Sequence, residues 1–336
     1  MKITALYVYP IKALRPIQLE TAELGPQGIL HDRRFMLFKI TDSGELKSMQ
    51  IAHYPQCGLF SQELDTDAGI IRVRYHTPVT PLLPKHEAHD EPLEVPLRPE
   101  TAGLEVLDVN LHNSPADVAY GLGDPYDTWF SACFGFAVRF VYIGDGKRLV
   151  LGNVAPQASV QQPKGWAATL ASYVPGGVKA DETPTWITFT DVAPFLVTCE
   201  SSLQGVRNYM EKDGDKVEMY KFRPNIVVDG EDEWSEDFWA ELLIKGERRL
   251  VLTANCGRCS SLNVDYETGK PASGEIGNVL KRLMKERKVD KGYKYSPVFG
   301  RYGFLADGEL KVSIGDEVEV SKRNSERTSF AWPGLA

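Results

Sequence analysis

The chain has 336 residues, 43 % of them hydrophobic and 25 % charged, with a net charge of −8. That length suits two domains or one large one around a sizeable core. The acidic balance argues against broad nucleic-acid binding, which needs a concentrated basic surface, and no apolar run approaches the roughly 18–20 residues that span a bilayer.

The start, Met1-Lys2-Ile3-Thr4-Ala5-Leu6-Tyr7-Val8-Tyr9-Pro10, alternates like a strand and carries no leader pattern. A soluble, intracellular protein with no integral membrane segment is the expectation, with the cytoplasm and a mitochondrial association both open. The first third reads as short strands at Ile3–Ile11, Arg34–Thr41, Gly58–Leu64, Ile70–His76, Leu93–Leu97 and Leu104–Val109, between Gly, Pro and Asp breaks. The Pro-rich stretch Pro78–Pro99 reads as loop and edge strand. Trp129, Phe130, Cys133 and Phe134 recur at helical spacing behind Pro125, so a helix is predicted to about Phe134, then a strand Phe136–Tyr142. Gly152–Pro184 is rich in Gly, Pro, Gln and Ala and reads as a connection or insertion.

A strand Trp186–Thr190 follows, then a helix Glu200–Glu211 with Leu203, Val206 and Met210 on one face. Phe222–Val228 is predicted as a strand and Asp237–Leu243 as a short helix or turn. Arg248–Thr253 is a strand ending at Asn255-Cys256-Gly257-Arg258-Cys259, and Leu262–Asp265 continues it. Ile276–Arg287 is a helix, and Val298–Leu305 and Leu310–Val320 close the chain as strands around Asp307-Gly308. Many short strands with few long helices predict an α+β fold that is mainly β, built of barrels or sandwiches with helices on the outside.

Of the five cysteines, Cys57, Cys133, Cys199, Cys256 and Cys259, only the last two are close in sequence. An odd, sparse set is unlike a disulfide framework. Four readings of Cys256-Gly257-Arg258-Cys259 stay open. Structural zinc normally takes four ligands, yet His31, His53, His76, His86, His89 and His112 all lie in the first third. A thioredoxin-like dithiol sits at a helix N-terminus, whereas strand-like runs flank this pair. A single thiolate on a loop suits a soft or redox-active metal, with Arg258 favouring the deprotonated sulfur. Both cysteines can also be buried packing residues.

The neighbouring segments carry a resemblance. Phe222-Arg223-Pro224-Asn225-Ile226-Val227-Val228-Asp229-Gly230 is followed by Trp234-Ser235-Glu236-Asp237-Phe238-Trp239. Next come Asn255-Cys256-Gly257-Arg258-Cys259, Val264-Asp265 with Thr268-Gly269, and Ser296-Pro297-Val298-Phe299-Gly300-Arg301-Tyr302. Together these resemble the MOSC domain of the mitochondrial amidoxime-reducing component family. Tyr9-Pro10-Ile11-Lys12 and Asp32-Arg33-Arg34-Phe35 resemble that family's N-terminal MOSC-associated domain. The resemblance implies a β-rich N-terminal domain over 1–145, a MOSC β-barrel with flanking helices over 185–322, and a connection or insertion over 146–184.

It also implies a molybdenum cofactor, a molybdopterin dithiolene ending in a phosphate. Cys259 matches the metal ligand and Cys256 a position not used for the metal. Lys12, Arg33 and Arg223 match basic residues that hold the pterin and its phosphate; Asn225, Gly257, Arg258 and Tyr302 match further pocket positions. Asp191, in Thr190-Asp191-Val192-Ala193-Pro194-Phe195, matches an acidic residue close to the metal, to be weighed against a plain turn-capping Asp. Tyr302 is either a pterin contact or a core aromatic, and Trp234, Trp239, Phe222 and Phe238 read as packing. Two departures stand out. The family often has a hydroxyl residue after the lysine and after the acid, whereas this chain has Ala13, Val192 and Ala193.

The implied activity is reduction of N-hydroxylated small molecules with electrons from a cytochrome b5-type haem protein and its flavin reductase. Gly121-Leu122-Gly123 lacks the strand–turn–helix spacing of a dinucleotide loop, so electrons are expected from outside. The alternative is a cofactor carrier or sulfur-transfer protein with a Cys259 persulfide, as in Moco sulfurases. There the MOSC domain follows a pyridoxal-phosphate-binding domain, and no such domain fits in this chain.

Overall fold

The computed structural model describes residues 1–156 and 185–335. The expected insertion Gly152–Pro184 lies outside the described residues except for its first five, 152–156. Short strands dominate and helices are few.

One eight-stranded sheet organises the second half. Its order is Ile17–Leu19, Ile3–Val8, Ile226–Val228, Phe195–Cys199, Val298–Leu305, Arg248–Gly257, Trp239–Ile244, Val318–Arg323. Phe195–Cys199 and Ile226–Val228 run parallel. A parallel pair needs a crossover, and helix Glu200–Asn208 lies within it, its buried Leu203 and Val206 packing with Phe222 and Val227. A three-stranded sheet, Leu310–Ser313, Thr21–Gly25 and Gly28–Ile29, closes over the same aliphatic core. Leu6, Val8, Leu24, Ile226, Leu252 and Val312 meet there. The first strand, at the start of span 1–145, therefore belongs to the sheet of span 185–322: Ile3 pairs with Val228 and Leu6 with Ile226.

The rest of the first half packs separately. A five-stranded sheet (Glu105–Val106, Tyr120–Gly121, Val138–Tyr142, Phe35–Ile40, Leu46–Ser48) and a three-stranded one (Phe60–Asp65, Ile70–Tyr75, Leu93–Pro96) enclose helix Tyr126–Phe134. The Trp129, Phe130, Cys133 and Phe134 face is buried as its spacing predicts. Phe60 stacks on Phe134 with ring centroids 4.7 Å apart and meets Phe130 at 5.8 Å and Trp129 at 5.9 Å.

Some elements differ from the sequence expectation. Phe222–Val228 is a strand only over Ile226–Val228, because Met219–Phe222 coils as a 3₁₀ turn and Arg223 is left-handed at φ 57°. Asp237–Leu243 is helical only at its first two residues. A turn at Ser235–Phe238 leads into the strand Trp239–Ile244, which pairs on both sides with Arg248–Gly257 and Val318–Arg323. The short sequence Trp-Ala-Glu-Leu-Leu-Ile fits either period, and tertiary pairing decides it. Leu262–Asp265 begins in the 3₁₀ turn Ser260–Asn263, and Leu310–Val320 splits into two strands at Gly315.

Candidate functional site

Segments from distant parts of the chain meet at one cavity between the barrel and the first half. Every residue singled out from the sequence lines it: Lys12, Arg33, Asp191, Arg223, Asn225, Gly257, Arg258, Cys259 and Tyr302. Gln50, Ile51, Ala52 and Ser261 also contribute, and nothing in their sequence context singled them out.

The cationic wall is built on Tyr9. Strand Ile3–Val8 ends there, and the buried Tyr9 ring is flanked by the guanidiniums of Arg33 and Arg223, each 4.4 Å from its centroid. The Tyr9 hydroxyl donates to Pro224 O at 3.0 Å and its backbone N–H to Asp32 Oδ1 at 2.8 Å. Asp32 Oδ2 accepts from Arg33 Nη1 at 2.5 Å, and Arg33 also reaches Asn225 Oδ1 at 3.3 Å. Arg223 Nη1 donates to Leu14 O at 3.0 Å. Arg33, Arg223 and Ala13 all have positive φ, at 49°, 57° and 74°. Non-glycine residues in this region store strain and cluster at functional sites.

Asp191 holds the other wall. Its Oδ1 accepts from Lys12 Nζ at 2.5 Å and lies 3.1 Å from His112 Nε2. Partial desolvation opposes ionisation of the half-exposed Asp191, but the Lys12 ammonium and His112 outweigh it and hold the carboxyl well below its usual range. Burial, partly offset by Asp191, pushes the Lys12 amine down to about 8. Lys12 Nζ also donates to Phe189 O at 2.8 Å. His112 escaped the sequence reading because it stands in a short left-handed turn with no periodic pattern around it.

The two nearby cysteines are unlike each other. Cys256 is buried at the end of strand Arg248–Gly257 and takes a hydrogen bond from Arg258 Nη1 at 2.9 Å. Burial raises its thiol above the ordinary value, against the pull of Arg258. Cys259 is exposed at the cavity, next to Arg258, whose backbone N–H donates to Pro297 O at 2.8 Å. Arg258 Nη2 is fixed on Phe222 O at 2.7 Å. Gly257 leaves room for Tyr293, whose ring would lie 2.6 Å from any Cβ there. Burial, reinforced by Cys256, keeps the Tyr302 hydroxyl well above its ordinary value and therefore protonated.

This geometry narrows the open readings of the pair. A short 3₁₀ turn, Ser260–Asn263, follows the pair, not the α-helix a thioredoxin-like site uses. Among the described residues no three His, Cys, Asp or Glu side chains converge as a metal cluster. What remains is one accessible thiol beside Lys12, Arg33, Arg223 and Arg258. Among the described residues, buried Arg223 Nη2, Arg258 Nε and Thr190 Oγ1, all on cavity residues, have no hydrogen-bond partner. Unsatisfied buried donors next to a thiol suit a large anion carrying a soft metal. A molybdopterin fits these donors.

No described helix is long and apolar enough to cross a membrane.

Comparison with known proteins gives the family. The family model for the MOSC N-terminal beta barrel domain matches residues 1–136 and that for the MOSC domain residues 184–319. The chain is 26 % identical to mouse mitochondrial amidoxime-reducing component 1 over 325 residues, 94 % of this chain and 81 % of that protein. It is 38 % identical to the human protein of that name over 136 residues, 39 % of this chain and 38 % of that protein. It is also 22 % identical to human molybdenum cofactor sulfurase, over 96 % of this chain but only 33 % of that protein. By both domains and by these relatives, the chain belongs to the MOSC family.

Proposed function

We propose that the cavity holds a molybdenum cofactor and that the protein is an oxidoreductase reducing N-hydroxylated small molecules. One observation carries the reading: an exposed thiol, Cys259, faces a pocket in which Lys12, Arg33, Arg223 and Arg258 converge although the chain as a whole is acidic. The names of the amidoxime-reducing relatives support the substrate class.

In this reading Cys259 is the metal's protein ligand. Arg33 and Arg223, pre-oriented on Tyr9, offer planar forks to phosphate oxygens. Lys12 adds a point charge, Arg258 a further cation, and Asn225, Tyr302 and the Gly257 backbone further pterin contacts. When bound, the cofactor would supply the two-electron redox chemistry that reduction of an N–O bond requires. The protein supplies orientation and protons. A carboxyl held well below its usual range is a poor acid, so Asp191 orients a water or the substrate hydroxyl. Lys12, at about 8, is the group at this wall matched to proton donation near neutrality. Electrons come from outside, by a cytochrome b5-type haem protein and its flavin reductase.

Metal analysis of protein made in a cofactor-competent host, beside Cys259→Ala, tests this. About one molybdenum per chain in the parent and almost none in the variant is expected. Zinc or no metal in both sinks the reading. A Cys259 persulfide seen by mass spectrometry, without molybdenum, supports instead the sulfur-transfer role suggested by the sulfurase relative.

A further inference from the structure

Arg148 is fully buried. Its side-chain hydrogen bonds are to backbone carbonyls: Nε to Ser114 O at 2.9 Å, Nη1 to Thr188 O at 2.9 Å and Thr190 O at 2.7 Å, and Nη2 to Leu111 O at 2.6 Å. Burying a cation without a counter-ion is costly. Here the cation clasps the residue before His112 to the residue before Asp191.

His112 and Asn113 are both left-handed, at φ 55° and 60°. This strained turn brings His112 Nε2 within 3.1 Å of Asp191 Oδ1. Because the acceptor is a carboxylate, the Nε2–H form makes the bond. Lys12 takes the same oxygen. Both partners thus fall on Oδ1, and no bond to Oδ2 is recorded among the described residues.

A second device holds the turn from outside. After the last strand, residues 324–335 run as a strap over the barrel, beyond residue 319 where the MOSC match ends. Buried Trp332 donates its indole N–H to His112 O at 2.6 Å, and Asn113 Nδ2 donates to Pro333 O at 3.1 Å. The strap is anchored firmly. Asn153 bonds both Ser329 O, at 2.7 Å, and Ala331 N, at 2.9 Å. Phe330 stacks on Tyr293 with centroids 4.3 Å apart. Any Cβ at Gly292 would lie 1.8 Å from Phe330 O.

We infer that His112 is a positioning residue for Asp191, and that the strap, through Trp332, fixes His112 in place. Pinning Oδ1 leaves Oδ2 to face the cavity in one orientation. The inference rests on the role given to Asp191 above, but its structural part can be read without metal.

Three variants of the full chain test it: His112→Ala, His112→Gln, whose amide N–H can replace Nε2–H, and Trp332→Phe. In crystals of metal-free His112→Ala the Asp191 side chain should turn from its rotamer, and in His112→Gln it should keep it. Amide hydrogen exchange at residues 110–114 should quicken in Trp332→Phe. On molybdenum-loaded protein His112→Ala should lower kcat about 10–100-fold, the range for outer-shell partners, with KM and metal content unchanged, and His112→Gln should restore most of it. An unmoved Asp191 in His112→Ala, or a kcat within twofold of the parent, overturns the positioning role. Unchanged exchange in Trp332→Phe overturns the strap. Absence of molybdenum from the parent defeats the cofactor reading alone, because the crystals and the exchange still decide the inference.

Discussion

The aromatic core of the first half and the cavity beside it both bury large side chains, yet they are built on opposite rules. Phe60, Phe130, Phe134 and Phe140 fill the first with uncharged rings in contact with one another. The second buries Lys12, Arg33 and Arg258, with carbonyls and a few carboxylates as partners. Burying rings stabilises the fold, whereas burying cations does so weakly or not at all. The contrast teaches that the cavity is maintained for what it binds and that the neighbouring core holds it open.

Substitutions can break this contrast. The largest effect should come from Phe60→Ala, which deletes a ring touching Trp129, Phe130 and Phe134. About 3–5 kcal/mol of stability should be lost in urea unfolding; a loss under about 1 kcal/mol would show that the core tolerates holes. Arg223→Met should do the reverse. Stability should move by less than about 1 kcal/mol, because a half-buried cation with no carboxylate partner among the described residues is replaced by an apolar chain. Molybdenum retention should fall about 10–100-fold, in line with a lost hydrogen bond to a charged group. Equal losses of stability and retention would erase the distinction.

Asp191→Asn should keep the metal and lower kcat about 100-fold, at the lower end of what a positioned acid–base group contributes. Unchanged turnover would remove Asp191 from the chemistry.

Lys12 offers a sharper test, since stability and binding should move in opposite directions with pH. Its folded value is lowered to about 8, below the roughly 10.4 of a free lysine. Between those values the unfolded chain holds more protons, so this group makes stability rise with pH. Over the same window the folded ammonium is lost as pH rises through about 8, so binding of a pyrophosphate probe should weaken. Lys12→Met should flatten both curves. The smallest effect belongs to Cys256→Ala: about 1 kcal/mol of stability lost, with molybdenum content as in the parent.

Much of the cavity was legible because its residues sit in short dense motifs, and the same motifs converge in space. Helix Tyr126–Phe134 was legible because its apolar residues recur at one period. Other features leave no such trace. Arg148 is an isolated arginine in the sequence, and only folding shows that it gathers the carbonyls of Leu111, Ser114, Thr188 and Thr190. The strap has no periodicity, since it is held by individual side chains and one stacked ring. The strand Trp239–Ile244 read as helix or turn because its identity depends on partners on either side.

The pairing of Ile3–Val8 with Ile226–Val228 bears on biosynthesis. At translation rates of about 5–20 residues per second, this opening strand waits roughly 10–40 s for its neighbour to leave the ribosome. Through that interval its apolar residues Ile3, Leu6 and Val8 are exposed on a half-finished chain. Late truncations that spare the first half but remove Ile226–Val228 should therefore aggregate during synthesis instead of folding as smaller proteins.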